Sequence, residues 1–264
     1  MTRYFSGKSR YYAQFRRPYP AAVFEDIIKF CNLDLESRIL DLGCGTGNIA
    51  IPLAMKGFQI YAVDPEPEML EEGKKCQCRV PLSGSIQWVL GSDATLDQID
   101  LPTFRLCTMG LSFHWMNREE VLKSLDTLIE PGGGIACIGR DDNFQVSQGK
   151  EWDCSIHGVL KEMLGDAWHY SRLPAQQRKG VRHEKILSES PFPVMSEYKY
   201  HVSETVTIDD IFGQILSHSY VHPVLLRERK DEFKKRLTDA LLEYEPSGRF
   251  VHNSVVELLI AKRE

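Results

Sequence analysis

The chain has 264 residues and a formal charge of −5, long enough to bury a generous core in one α/β domain and too acidic to offer the basic face of a nucleic-acid binder. Residues 1–17 alternate tyrosines with basic residues and lack the apolar run of a secretory signal, and no later run approaches a membrane span. Seven cysteines, an odd number scattered through the chain, with Cys76 and Cys78 too close for a zinc knuckle, read as reduced thiols in a cytoplasmic protein.

In chain order, Val23, Phe24, Ile27, Ile28 and Phe30 recur at helical spacing, so a helix is expected over Ala21–Cys31. An alternation follows: strand Arg38–Leu42, helix Asn48–Met55, strand Gln59–Val63, helix Pro67–Lys75, strand Ile86–Leu90, strand Phe104–Met109, helix Arg118–Ile129 and strand Gly134–Gly139. Such alternation calls for a doubly wound, mostly parallel sheet with helices on both faces and ligands at the carboxyl ends of the strands. From Asp141 to Ser190 it stops. That stretch reads as an insertion or lid, with an amphipathic segment at Trp152–Leu164 and a basic one from Ser171 to Lys185, ahead of a sixth strand at Val194–Val202. Helices at Thr207–Ser217 and Lys230–Tyr244 and a strand at Arg249–Ala261 complete the chain, read as one domain over residues 1–264.

The first strand runs into Asp41-Leu-Gly43-Cys-Gly45-Thr-Gly47, and the second ends in Asp64. Glycines permit positive φ and close approach of a ligand to bare main chain. A dinucleotide fingerprint would space them G-x-G-x-x-G around a pyrophosphate. Here the last glycine comes one position early, and the anionic Asp41 would repel a pyrophosphate while suiting an ammonium and a sulfonium. The ligand so described is S-adenosylmethionine. Asp41 has a competing role as a cap of the turn.

These residues resemble the class I S-adenosylmethionine-dependent methyltransferases. The resemblance implies a Rossmann-like, seven-stranded, mostly parallel sheet closed by an antiparallel sixth and seventh strand. It implies that Asp64, with Pro65 after it, takes the ribose hydroxyls, and that Ser92-Asp93-Ala94, after the third strand, takes the adenine amino group. Phe113-His114-Trp115 and Arg17-Pro18-Tyr19-Pro20 are similar to the small-molecule branch that includes trans-aconitate-type enzymes. By the same likeness the leader, residues 1–20, folds over the cofactor and brings Tyr11 and Arg17 to its methionine carboxylate.

His114 is the catalytic candidate, since an imidazole titrating near about 6.5 could remove a proton as the acceptor attacks; packing as pocket wall is the competing reading, and Trp115 is assigned to the substrate pocket. Asp142-Asn143 matches the magnesium pair of catechol-type enzymes, but Met109-Gly110-Leu111-Ser112 supplies no third carboxylate, so no metal is expected. Ser217, His218, Ser219, Tyr220 and His222 form a polar string that either lines the cleft or is ordinary loop. The function expected is methyl transfer from S-adenosylmethionine to an O, N or C atom of a small-molecule acceptor, a carboxylate or a secondary metabolite among the candidates. The alternative is a protein that binds S-adenosylmethionine without transferring its methyl group, in a cyclase, structural or sensing role.

Overall fold

The computed structural model describes residue 5 and residues 7–141, 151–165, 182–218 and 227–263. Its contacts divide the chain into two compact units: residues 18–140, 175–200 and 255–264 form one, and residues 1–17, 141–174 and 201–254 form the other.

The first unit contains α2 (Ala21–Cys31), β1 (Arg38–Leu42), α3 (Ala50–Met55), β2 (Gln59–Asp64), α4 (Pro67–Gln77), β3 (Ser85–Leu90), β4 (Phe104–Gly110), α5 (Arg118–Leu128), most of β5 (Ile129–Asp141) and α7 (His183–Ser188). The seven-stranded sheet has the order β3-β2-β1-β4-β5-β7-β6, with β6 at Val194–Thr207 and β7 at Arg249–Lys262. It is mixed and mostly parallel, as expected. Registers such as Asp41↔Ala62, Asp41↔Thr108 and Asp64↔Leu90 line up the carboxyl ends of β1, β2, β3 and β4. Between β1 and β4 the order of strands reverses, opening the crevice in which doubly wound sheets bind ligands.

Leu40, Leu42, Val63, Cys107, Met109 and Cys137 point to one face, where α5 buries Val121, Leu122 and Leu125 and α7 buries Ile186 and Leu187. Near α4, the Trp88 indole fills the space left by a missing side chain, since a Cβ on Gly73 would lie 2.5 Å from it. The same indole donates from Nε1 to Gln77 Oε1 at 2.7 Å.

Several boundaries differ from the sequence reading, the sixth strand among them, which runs on to Thr207 rather than Val202. Helix α3 begins at Ala50, because Gly47, Asn48 and Ile49 are spent on the turn. Strand β5 begins at Ile129, ahead of Gly134, because the Pro131-Gly132-Gly133 run absorbs a register shift between Phe104↔Ile129 and Leu106↔Gly134.

The second unit contains α1 (Ser9–Phe15), α6 (Glu151–Leu164), α8 (Ile208–Ser217), α9 (Lys230–Tyr244) and the remaining parts of β6 and β7. Trp152, Ile156, Ile211, Phe212, Phe233 and Leu237 form its apolar core. Thr207 and Asp210 close a capping box at the start of α8, satisfying two N–H groups that the helix leaves open. The polar string after α8 is only partly described: Ser217 and His218 are buried, while Ser219, Tyr220 and His222 lie outside the described residues. Lys8 reaches the carbonyl oxygen of His218 at 3.0 Å, and burial lowers its pKa to about 8. Helix α1 has no apolar period to announce it. It packs on α8 because Gly213 has no side chain: a Cβ there would lie 2.2 Å from the Phe15 ring.

Candidate active site

The glycine turn is pinned to the end of β2. Gly43 and Cys44 both donate to the Val63 carbonyl at 2.8 and 3.1 Å, and Gly47 donates to the Cys44 carbonyl at 2.9 Å. The φ angles of Gly43, Gly45 and Gly47 are 72°, 53° and 88°, a region that costs an L side chain about 1–2 kcal/mol. Ligand approach is not the whole reason for glycine here. A Cβ on Gly43 would lie 2.5 Å from Ser112 Cβ, and one on Gly47 would lie 2.7 Å from Trp88. Two of the three glycines therefore make room for the protein itself.

The acids divide by what they face. Asp41 is buried, its Oδ2 accepting from the Ala50 amide at 3.1 Å and its Oδ1 from the Thr108 hydroxyl at 2.9 Å. It thus caps the first N–H of α3. Burial raises its pKa to about 7, with the Asp64 charge adding to the shift.

Asp64 stands at the crevice. Its Oδ2 accepts from the Gly45 amide at 2.8 Å and its Oδ1 from the Glu66 amide at 2.9 Å. Burial raises its pKa as well, against those two hydrogen bonds. Pro65 next to it and Ala94 are exposed, and its register partner Leu90 is 60 % exposed. Ser92 is buried in a capping box with Thr95, opening a 3₁₀ turn at Asp93–Gln98. Asp93 accepts from the Asn117 amide at 3.2 Å, so its carboxylate is engaged at the start of α5.

Beyond β4 the chain turns through Leu111 at φ 53°, a left-handed conformation uncommon for a branched apolar residue. Leu111 donates to the Ile138 carbonyl at 2.9 Å. Ser112 donates to the Leu42 carbonyl at 2.7 Å, tying this loop to the glycine turn. Phe113–Trp115 then form a 3₁₀ turn over a cavity of about 130 Å³. The cavity is lined by Met109, Leu111, Phe113, His114, Cys137 and Ile138 at the ends of β4 and β5, and by His183 and its neighbours on α7 and on β6 and β7.

His114 departs from the ordinary imidazole expected of it. Burial, then His183 and Arg118, lower its pKa to about 4, so at neutral pH it is uncharged and a weak base. Its ring lies 5.3 Å from that of Trp115. Burial pushes the Cys137 thiol up to about 12, which removes it as a nucleophile.

Tyr19, quoted in the sequence only as part of a motif, brings its hydroxyl to 3.0 Å from where a Cβ on Gly110 would stand, at the end of β4. No spacing rule would have found it. Tyr11 and Arg17 belong to the other unit. There Tyr11 stacks on Phe15 at 6.4 Å, and Arg17 bonds Glu204 at 3.0 Å and the Nδ1 of His252. Asp142 and Asn143 lie outside the described residues.

Residues 39–133 match the model of a methyltransferase domain. The matched stretch, under half of the chain, is similar to methyltransferase domains. An uncharacterized methyltransferase of Mycobacterium bovis is 24% identical over 184 residues, 69% of this chain. The match spans 65% of that relative's length, under two thirds of it. Among solved structures, a protein assigned as a type II methyltransferase of Anaeromyxobacter dehalogenans has the same fold, with TM-score 0.62 at 18% identity over 95% of this chain and 98% of the other. A methyltransferase of Thiobacillus denitrificans, crystallised with S-adenosyl-L-homocysteine, aligns with TM-score 0.50 at 13% identity over 98% of each chain. The stretch so matched contains the glycine turn, Asp64, Asp93 and His114 together. Among the described residues no helix is long and apolar enough to cross a membrane.

Proposed function

We propose that the chain transfers a methyl group from S-adenosylmethionine to an O, N or C atom of a small molecule. The observation that carries this reading is the juxtaposition of the Gly45 amide and the Asp64 carboxylate at the switch point of the sheet, 2.8 Å apart and beside the exposed apolar surfaces of Pro65, Leu90 and Ala94. A carboxylate retains lone pairs after accepting one amide on each oxygen, which fits the two hydroxyls of a ribose. The apolar surfaces fit a flat base.

When bound, S-adenosylmethionine supplies an electrophilic methyl carbon, whose bond to sulfur breaks with its electron pair as the acceptor's lone pair forms the new bond. Asp64 and the glycine turn hold the nucleoside, and Asp93 with its neighbour Ser92 borders the base. Leu111 and the Phe113–Trp115 turn exclude water and hold the acceptor in line, the contribution such a reaction needs most. His114, neutral at pH 7, borders the acceptor and orients it; removal of any acceptor proton falls to solvent or to the acceptor's own acidity. The small-molecule branch is supported by the Phe113-His114-Trp115 string and by a cavity of modest size. The unpaired state of all seven cysteines supports a reducing, cytoplasmic setting.

Calorimetry with S-adenosylhomocysteine on wild type and Asp64→Ala tests the cofactor half, and release of S-adenosylhomocysteine during turnover of a fractionated metabolite extract tests the transfer. Binding without any product over the whole extract would leave a cofactor-binding protein that does not transfer.

A further inference from the structure

Five separated segments meet at the cavity beyond β4 and β5, and one of them, the start of α7, carries a residue that no motif pointed to. His183 places its ring 5.0 Å from that of Phe113. A guanidinium nitrogen of Arg118 lies 3.1 Å from its Nδ1. A guanidinium is a donor only and keeps its proton, so Nδ1 must accept. The neutral ring then carries its hydrogen on Nε2, at the opposite edge. Burial and the Arg118 charge lower the pKa of His183, against the smaller opposing effect of Glu184, which favours the neutral ring.

The charges of the same lining are already matched. Arg182 pairs with Glu184 at 2.8 Å and Lys199 with Glu257 at 2.9 Å, while Glu197 adds a further acid. Both pairs are largely exposed and cost little to break. The described lining nevertheless holds three acids, Glu184, Glu197 and Glu257, against two bases, Arg182 and Lys199, and that net negative charge disfavours an anionic ligand. The apolar part of the wall is Met109, Leu111, Phe113 and Ile138.

We propose that His183 donates from Nε2 to the methyl acceptor and orients it, and that the acceptor is a neutral molecule with an apolar body and a hydrogen-bond-accepting oxygen. This rests on the methyl-transfer reading above and deepens it by naming the class of substrate. It departs from the carboxylate candidate, since both cations of the described lining, Arg182 and Lys199, already have acid partners.

Acetophenone is the test probe, with an apolar ring and one carbonyl oxygen; ethylbenzene lacks the oxygen and benzoate turns it into a charge. Ligand-observed NMR in the presence of S-adenosylhomocysteine measures the affinity of each for wild type, His183→Phe and His183→Gln. Wild type should prefer acetophenone to ethylbenzene by about fivefold, the effect of one net hydrogen bond, and to benzoate by roughly severalfold, for the net negative charge of the lining. His183→Phe should erase the first preference and His183→Gln, which keeps a donor, should restore part of it. A merely structural histidine would not move that ratio. The imidazole ¹⁵N shifts of wild type supply a reading that needs no variant and should report the Nε2–H tautomer.

An Nδ1–H tautomer, no saturable acetophenone binding, a ratio unchanged in His183→Phe, or benzoate as the tightest probe would each overturn the assignment. With S-adenosylhomocysteine still bound, those results strike His183 alone. If the wild type fails to bind S-adenosylhomocysteine, the methyl-transfer reading falls and takes this assignment with it.

Discussion

The glycine turn and the cavity beyond β4 sit at the same end of one sheet, yet they are built in opposite ways. The turn comes from one short run of residues plus Asp64, and its carboxylates are held mainly by nearby amides: Asp41 caps α3, and Asp64 accepts from Gly45 and Glu66. The cavity draws on β4, β5, α7, β6 and β7, and its polar groups are tuned by burial and by one another, as with His114, His183 and Arg118. A local motif is rigid because it is short and self-bonded. A site assembled from distant segments takes its chemistry from packing.

The largest effect should come from filling the turn. Gly47→Val meets both a positive φ and the Trp88 indole, and should cost about 3 kcal/mol or more, read by denaturant unfolding. If packing is the reason for this glycine, Trp88→Leu should recover part of the loss in the Gly47→Ala background; no recovery would mean that φ alone decides. Asp64→Ala should come next, weakening S-adenosylhomocysteine by roughly ten- to a hundredfold through loss of charge-assisted hydrogen bonds. An unchanged affinity in calorimetry would remove the turn from the site.

Asp41 gives a pH test of the same region. Its folded pKa, about 7, lies above the ordinary carboxylate value of 3.8, so the folded state binds more protons than the unfolded one between those values. Stability from this group is therefore fully present below about pH 4 and falls as pH rises towards 7. Asp64, raised in the same direction, adds to that slope. Asp41→Asn should flatten part of the decline, measured by urea unfolding at pH 5 and pH 7.5; an unaltered slope would mean that Asp41 ionises freely.

On the cavity side, a kcat/KM profile should show no ionisation of His114 between pH 5.5 and 8, since its pKa lies near 4. A step near pH 6.5 lost in His114→Asn would restore the general-base role. The smallest effect belongs to Leu111→Gly. Relief of the left-handed strain and the added freedom of the unfolded chain nearly cancel, leaving stability within about 1 kcal/mol of wild type. Acetophenone binding should nevertheless weaken, because an apolar wall of the cavity is gone.

Much of the sheet was legible because the inner parallel strands β1, β2 and β4 are largely buried and read as mostly apolar runs, while the edge strand β3, with no buried residue, was legible from its place in the alternation. Helices α2 and α5 were legible from their period, and Asp64 from its place at a strand end. Helix α1 was not, since it exists through the fit of Phe15 on Gly213, and neither was the direction Asp41 faces, which Thr108 on a neighbouring strand determines.

By itself the sequence determined the strand and helix alternation and the presence of a glycine turn closed by an acid, because both depend on spacing along one chain. Which glycines serve packing, that His114 is a weak base, and that His183 joins it at the cavity were decided only by the tertiary structure. Desolvation and contact depend on what other segments bring alongside, and spacing along the chain carries no record of that.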